Sequence, residues 1–487
     1  MLRLPDREAM ENITRRRQKR QERSRHIARG DGDRIKSVIV AVLMFTAIAS
    51  AVAYGAVDPL ALGLLAAIMA VVIMLWGARS WSSGVADLNS NAIQLPLVGM
   101  ILIGIIQLLP VRSNTVGGLL AIPASAAISL DAYATRLFTI RLVILAVFFA
   151  AALTFLDSSR KLERCAFAAI IFGAVMAFFG VIQRLSGAET IYGLRKVGQA
   201  IPFGPFVNQH HFAAFMEMTS GLAIGILIGR GVGSTKRLFA GIGAAFMGIG
   251  LIYTGSRGGL LGYIAVIAVS GILTYLASHR GRNGDAEMAG RMAAFGGGAA
   301  LLVGVIAVAF FLGGGGALFR GIGPQGTDIT SGRTHFWEIA WQIFLDHPII
   351  GAGYDAFAVA FTRYDTWSGM YRVEQAHNDY LQTLSDSGIA GFICVVAFIY
   401  FLVKQSLSVI SSSIDELRTN IAIGALAGCA GILIHSLFDF PLRTTSNALF
   451  FLLLVVLATT DIAGRAGDSK KRRRSASRGV SELLPEQ

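Results

Sequence analysis

Charged residues are scarce in this chain: 15% of its 487 residues are Asp, Glu, Lys or Arg, whereas 54% are hydrophobic. That balance excludes disorder, a collagen-like fibre and an ordinary soluble globular fold. The sequence has only three cysteines, all in apolar blocks and none in a C-x-x-C pair, so it predicts neither a disulfide framework nor a zinc site. It also has no P-loop and no dinucleotide-binding fingerprint, so nothing in it indicates a nucleotide substrate.

The sequence is instead rich in apolar runs of roughly 18 to 22 residues, the length that an α-helix needs to cross about 30 Å of hydrocarbon. We therefore predict an all-α polytopic membrane protein with about 12 transmembrane helices. The predicted spans lie near residues 37–54, 60–77, 92–109, 137–156, 165–183, 211–229, 238–254, 259–277, 293–312, 388–403, 419–437 and 444–460.

Positive charge is concentrated at the two ends of the chain. Residues 1–36 hold 12 Lys and Arg, and the tail from Arg465 holds 7 more. With a cytoplasmic N-terminus, 31 of the 43 Lys and Arg fall on the cytoplasmic side, as the positive-inside rule requires. We predict basic cytoplasmic tails at 1–36 and 461–487. Because neither tail contains an aromatic stacking residue, we expect them to contact anionic membrane lipids and no nucleic acid. No cleavable signal peptide is expected.

Nine spans are predicted within 37–312 and three within 388–460, which leaves residues 313–387 as one large loop on the outer side of the membrane. Connections of that length usually have a function. Trp337, Trp341 and Phe344 recur at helical spacing, and His347 and Pro348 end the pattern, so we predict short helices in this loop. The simpler interpretation of the tryptophans is an interfacial aromatic belt, and the alternative is a sugar platform.

Several arginines are predicted on the outer side, where the positive-inside rule disfavours them. Arg257 lies in a glycine-containing connection of a few residues between two spans. Arg195 lies in an earlier outward connection, and Arg333, Arg363 and Arg372 lie in the large loop. A guanidinium binds phosphate oxygens in a bidentate manner, so a lipid-linked diphosphate is one candidate ligand and ordinary head-group anchoring is the alternative.

His377 stands before a stretch with helical spacing, in which Gly388 is expected to bend or end the helix. We expect His377 on the outward part of that helix, where a neutral imidazole can accept a proton from a hydroxyl. Glu374, Asn378 or Asp379 could orient the ring, and the sequence does not choose among them.

His377 and Asn378, followed by Gly388 and Gly391, resemble the H-N-x9-G-x-x-G signature of the O-antigen ligase and Wzy-type polymerase superfamily of bacterial inner membranes. Three other segments are similar to that family: residues 206–213, the 256–259 turn, and residues 435–441. The resemblance extends from about residue 200 to residue 455. The sequence departs from the family pattern at His210, where relatives often carry asparagine.

The resemblance implies a metal-independent, cofactor-free glycosyltransferase. It would move a glycan from undecaprenyl diphosphate to a sugar hydroxyl of lipid A core or of a growing polymer at the periplasmic face. An O-antigen or exopolysaccharide polymerase is the alternative, and a polysaccharide exporter or flippase is the rival of another class. A chain-length regulator or a flippase is a possible partner.

The resemblance also implies roles for individual residues. The expected catalytic residues are His377 and Arg257. Those expected to bind diphosphate or sugar are Arg195, Arg333, Arg363, Arg372, Asn208 and His211. Those expected to support the site are Glu374, Asn378, Gly388, Gly391, His435 and Asp439.

Overall fold

The computed structural model describes residues 34–111, 126–198, 200–278, 333–366 and 372–462. Its α-helices, in chain order, are α1 (Arg34–Val52), α2 (Pro59–Ser83), α3 (Leu95–Gln107), α4 (Ala132–Phe155), α5 (Ser159–Leu185), α6 (Gln209–Ile228), α7 (Ser234–Thr254), α8 (Arg257–Ser278), α9 (Arg333–Asp346), α10 (Phe357–Phe361), α11 (Asp379–Ser412), α12 (Glu416–His435) and α13 (Thr445–Thr459). A two-stranded antiparallel hairpin, β1 (Thr190–Ile191) and β2 (Arg195–Lys196), lies between α5 and α6.

The helical architecture confirms the prediction of an all-α polytopic membrane protein, to which the structure adds the small hairpin. In the described ranges, nine helices are long and apolar enough to cross a membrane. The short apolar helices α3 and α13 correspond to the third and twelfth predicted spans. The ninth predicted span, 293–312, lies outside the described residues, as do most of both basic tails, so the total of 12 stays a prediction.

The large loop contains two short helices in its described part, α9 and α10, and α9 covers the segment in which the Trp and Phe spacing predicts a helix. Residues 313–332 and 367–371 of this loop lie outside the description. The next helix, α11, begins at Asp379, nine residues before the predicted span, because the Asn378 side chain caps it. The expectation that His377 lies on this helix is therefore wrong: His377 precedes the cap.

The centre of the bundle is formed by α6, α8, α12 and α13. Every residue of α13 is buried, as expected for a helix surrounded by other helices on all sides. Helices α6 and α12 approach each other through glycines, and a Cβ added to Gly221 would lie 2.7 Å from the Cα of Gly428. Small residues of this kind allow membrane helices to pack backbone against backbone.

The bend of α11 is a backbone junction with the loop that follows α9. Gly388 has φ 62° and ψ −162°, a conformation accessible essentially only to glycine. The Ile389 amide donates to the Pro348 carbonyl at 2.8 Å, and the Ala352 amide donates to the Ser385 carbonyl at 2.8 Å. A Cβ on Gly388 would lie 2.5 Å from the Ile349 carbonyl group. This glycine thus allows the large loop to lie directly against the helix that begins beside His377.

Candidate active site

A cluster of basic side chains surrounds the buried carboxylate of Asp439, in the loop after α12. One oxygen, Oδ1, lies 3.3 Å from His377 Nδ1 and accepts from the Phe440 amide at 2.9 Å. The other, Oδ2, lies 3.4 Å from an Arg333 nitrogen and 3.9 Å from His210 Nδ1. The large loop, α6 and the α12–α13 connection therefore meet at one carboxylate.

The surroundings of Asp439 keep it ionised. Burial by itself raises the pKa of this carboxyl, but the hydrogen bond from His377 and the charges of His210, His377 and Arg333 outweigh it and lower the pKa below its ordinary value. Asp439 is consequently a fixed negative charge at neutral pH, available to orient and stabilise a protonated imidazole.

His377 is held in a strained backbone conformation and remains accessible. Its φ is 53°, which is uncommon for a residue other than glycine. The next residue, Asn378, caps α11 through its side chain and donates to the Leu437 carbonyl at 3.0 Å. The His377 ring lies 4.8 Å from the Phe440 ring and 6.1 Å from the Phe336 ring, between centroids, and its side chain keeps 29% exposure. Backbone strain of this kind concentrates at functional sites.

The Arg257 turn lies next to this cluster. His210 Nδ1 is 2.8 Å from the Ser256 hydroxyl, and the same hydroxyl accepts from the Gly259 amide at 3.1 Å at the start of α8. A Cβ on Gly258 would lie 2.7 Å from the His435 ring. Arg257 therefore lies between Ser256, which is hydrogen-bonded to His210 of the cluster, and Gly258, which packs against His435.

Beneath the Arg257 turn is a fully buried acid–base pair inside the helix bundle. His435 Nδ1 lies 2.8 Å from Glu217 Oε1, and both side chains have 0% exposure. In the described part of the chain, the remaining atoms of the pair, Glu217 Oε2 and His435 Nε2, have no hydrogen-bond partner. The pair lies against α8, since a Cβ on Gly262 would lie 2.5 Å from Glu217 Oε2.

A second ionic network joins the large loop to the rest of the protein. Arg443 donates to Asp355 at 2.7 Å and to Asp386 at 2.5 Å, and its guanidinium lies 4.8 Å from the centre of the Phe138 ring. Burial by itself lowers the pKa of Arg443, but the carboxylates of Asp386 and Asp355 outweigh it and raise that pKa. Arg141 extends the network by donating to the Arg443 carbonyl.

Several sequence-predicted residues are brought to the Asp439 cluster or its immediate support. His377 and Arg333 both contact the Asp439 carboxylate, and Asn378 caps the helix that begins beside His377. Arg257 and His435 lie next to this group through the α8 turn. Gly388 and Gly391 lie at the bend of α11, where a Cβ on Gly391 would collide with the Ser387 side chain.

Other predicted residues have different surroundings. Arg195 lies in the hairpin and pairs with Asp58, which precedes α2, at 2.5 Å. Glu374 is exposed and lies 3.5 Å from the exposed Arg372, so the position expected of it beside His377 is occupied by Asp439. Arg363 is exposed on the large loop, 5.7 Å from the Tyr364 ring centre.

Asn208 and His211 form hydrogen bonds within the protein. The Asn208 side chain caps α6 by accepting from the His210 amide at 2.8 Å. His211 is buried, with Nδ1 2.6 Å from the Thr444 hydroxyl. Substrate binding by either residue stays a prediction.

Sequence reasoning missed or undervalued four residues. His210 departs from the family pattern, Arg443 is near the supporting residues His435 and Asp439 in the sequence, and Glu217 and Asp386 have no predicted role. A lone acid in the apolar run of α6 was the available signal for Glu217, because an ionisable residue inside a membrane span is costly and usually functional. Among the described residues, no three His, Cys, Asp or Glu side chains are grouped closely enough to hold a metal ion.

Replacing Glu217 with leucine should strongly destabilise the protein, because it leaves His435 buried without its partner. Breaking a buried pair by removing one member typically costs about 3–5 kcal/mol. The measurement is the melting temperature of the purified protein in detergent, with Glu163→Gln as control because Glu163 pairs at the surface with Lys236. A Glu217→Leu protein that melts with the control would show that the pair does not stabilise the bundle.

One family comparison matches this region. Residues 242–396 match the profile of the family described as O-antigen ligase. The matched segment begins in α7, includes the Arg257 turn and His377, and ends in α11 beyond Gly391. No curated protein matches the chain. Over residues 242–396, the chain is thus similar to the O-antigen ligase family.

Proposed function

We propose that this protein is a metal-independent glycosyltransferase that moves a glycan from undecaprenyl diphosphate to a sugar hydroxyl of an acceptor. The observation that carries the proposal is the pairing of His377 with the buried carboxylate of Asp439, beside Arg333 and the Arg257 turn. The proposed location is the periplasmic face of a bacterial inner membrane, with both termini cytoplasmic, since this orientation puts most Lys and Arg on the cytoplasmic side.

His377 is the general base in this proposal. When its Nδ1–H donates to Asp439, the lone pair of Nε2 is free to accept a proton from the acceptor hydroxyl. The ionised carboxylate fixes the ring tautomer and stabilises the imidazolium that forms. The partly exposed side chain of His377 leaves room for this contact.

Arginines stabilise the leaving group. As the acceptor oxygen bonds to the anomeric carbon, the bond from that carbon to the phosphate oxygen breaks, and the carrier diphosphate leaves with the electron pair. In this proposal, the negative charge that develops there is bound by Arg257, which follows Ser256 beside the cluster, and by Arg333, which contacts Asp439. The proton lost by the acceptor is held on His377. Because the carrier diphosphate is itself the activated leaving group and no atom changes oxidation state, the reaction needs no nucleotide and no redox cofactor.

The acceptor separates two versions of the proposal. A ligase would transfer to lipid A core, and a polymerase would transfer to another carrier-linked chain or to exopolysaccharide. Deleting the gene and analysing surface glycans distinguishes them. Polymer that accumulates on the carrier without reaching lipopolysaccharide identifies a ligase, and unextended single repeat units identify a polymerase. We also propose a chain-length regulator or a flippase as a partner in either case.

A polysaccharide exporter or flippase is the rival proposal from another class. It requires a polar route across the bundle, whereas the ionic contacts around Asp439 and Arg443 gather at the helix ends beside the large loop. The buried Glu217 and His435 pair is a feature that favours the rival, because it lies within the bundle. An exporter would release no carrier diphosphate.

The test is reconstitution of the purified protein with a carrier-linked glycan and an acceptor saccharide in the presence of a chelator. We expect glycan transfer with release of undecaprenyl diphosphate. Asp439→Asn should lower the transfer rate by about 10²–10⁴-fold, the usual contribution of general acid–base catalysis, because the amide cannot stabilise the imidazolium. Transfer that requires a divalent cation would contradict the metal-independent mechanism, and unchanged transfer by Asp439→Asn would contradict the role of the pair.

Arg257→Lys should also be severely impaired. A lysine keeps the positive charge but provides a point charge in place of the forked contact to two phosphate oxygens. We expect at least about a tenfold loss of transfer, which corresponds to about 1.4 kcal/mol, measured by release of carrier diphosphate. Arg184→Lys, an exposed position in the last turn of α5, is the matched control. Full activity of the Arg257→Lys protein would reduce this arginine to a topological anchor.

A further inference from the structure

An aromatic platform lies on the hairpin side of the protein, apart from the Asp439 cluster. We define it by Tyr54, Phe179 and Tyr192. The Tyr192 ring is stacked on Phe179 with 5.5 Å between centroids and lies 5.9 Å from Tyr54. The guanidinium of Arg195 covers the Tyr54 ring at 4.8 Å and pairs with Asp58 through both of its terminal nitrogens. Stacked rings thus border a forked ionic pair.

Strained backbone concentrates at this platform. In the described ranges, five residues other than glycine have positive φ, and three of them are Tyr54, Ala56 and Tyr192, at 56°, 53° and 56°. The other two are Asp355 and His377, both in the networks of the candidate active site. Such conformations persist only where the surrounding structure imposes them, and they cluster at active sites, ligand clamps and switch regions.

The platform does not have the geometry of an interfacial aromatic belt. A belt tyrosine presents its hydroxyl to water and its ring to lipid. The Tyr192 hydroxyl is instead bonded to the protein: it donates to the Val52 carbonyl at 2.9 Å, while the residue remains 40% exposed. The ring of Tyr192 is therefore fixed in place by its own hydroxyl.

The platform lies at the same end of the bundle as the cluster. The Ser446 amide donates to the Gly55 carbonyl, next to Tyr54, at 3.1 Å. The neighbouring Thr444 hydroxyl bonds to His211, and His211 follows His210 of the Asp439 cluster. A few residues of the connection between α12 and α13 thus link the two surfaces.

We propose that this platform is a saccharide subsite that binds a pyranose ring of the transferred or receiving glycan, at a sugar other than the one that reacts. The exposed aromatic surface contacts the apolar face of the ring, and Arg195 and Asp58 exchange hydrogen bonds with its hydroxyls. This inference rests on the proposed glycosyl transfer. Of the two ligands expected for Arg195 from the sequence, diphosphate or sugar, this proposal selects the sugar.

The test uses oligosaccharide released from the carrier-linked glycan by mild acid, which has neither lipid nor diphosphate. Binding to the purified full-length protein is followed by saturation-transfer NMR and titration. Tyr192→Ala should weaken binding by about tenfold, as is typical when an anchoring tyrosine is truncated. Tyr192→Phe, which retains the ring, should bind within a factor of about three of the parent protein. Tyr133→Ala, at another exposed tyrosine, should bind like the parent.

Two further variants keep the result decisive. His377→Ala should still bind the oligosaccharide although it cannot transfer, so failure of the catalytic proposal is distinguishable from failure of the subsite. Asp58→Asn tests the polar half of the surface if Tyr192→Ala does not fold, and it should weaken binding without lowering the melting temperature. Unchanged binding by Tyr192→Ala or by a folded Asp58→Asn overturns the proposal. An absence of saturation transfer from the parent protein to the oligosaccharide also overturns it and leaves the surface as a bilayer anchor.

Discussion

His377→Ala is expected to abolish detectable glycan transfer while the protein is still produced and inserted. Loss of a general base costs about 10²–10⁴-fold in rate, and here the variant also removes the hydrogen bond between His377 and the Asp439 carboxylate. His377→Gln should be equally inactive, because an amide can donate to Asp439 but cannot accept a proton at neutral pH. Transfer is measured with carrier-linked glycan and purified acceptor.

The matched control for this prediction is His347→Gln, a histidine of the same large loop at the end of α9. This variant should transfer at the parental rate and melt at the parental temperature. A His377→Ala protein with normal surface polymer would remove this residue as the base. If both variants lost activity, the loss would be attributed to loop structure and the imidazole chemistry would have no support.

Gly388→Ala is expected to prevent correct folding of the junction between α11 and the large loop. The backbone conformation alone costs a residue with a side chain about 1–3 kcal/mol. The added Cβ would also lie 2.5 Å from the Ile349 carbonyl group, and a backbone neighbour cannot rotate away as a side chain would. We expect a large fall in folded yield by size-exclusion chromatography and a lower melting temperature for any remaining protein.

Gly77→Ala provides the matched control. Gly77 lies in α2, and a Cβ added there meets nothing within 4 Å in the described part of the chain. In a helix, alanine is favoured over glycine by roughly 0.5–1 kcal/mol, so this variant should melt at the parental temperature or slightly above it. A Gly388→Ala protein that behaves like Gly77→Ala would contradict the close approach of loop and helix.

The features that local sequence pattern predicts are those governed by neighbouring residues. Hydropathy predicts the long helices, the Trp337 and Trp341 spacing predicts α9, and Gly388 predicts the bend in α11. These depend on helical periodicity and on backbone freedom, which are read over a few turns of chain. The start of α11 was missed because its capping residue precedes the apolar run that marks the span.

The pairings at the site were not predictable in the same way. Asp439 is 62 residues from His377, and His435 is 218 residues from Glu217, so no local spacing identifies either partner. Glu374 was a reasonable orienting group by sequence proximity, but the tertiary fold gives that position to Asp439. Partner choice of this kind depends on how helices pack, and only the packing reveals it.

The start of α11, beside His377, and the end of α12, shortly before Asp439, are hydrogen-bonded to each other. The Asp379 amide donates to the Ser436 carbonyl, and the Ser436 hydroxyl donates back to the Asp379 carboxylate, each at 2.9 Å. Because Asp379 follows His377 and Asn378 while Ser436 shortly precedes Asp439, these two bonds hold His377 and Asp439 together. In the proposed reaction, the imidazole is thus preorganised against its carboxylate, and binding energy from the substrates is not needed to bring the two groups together.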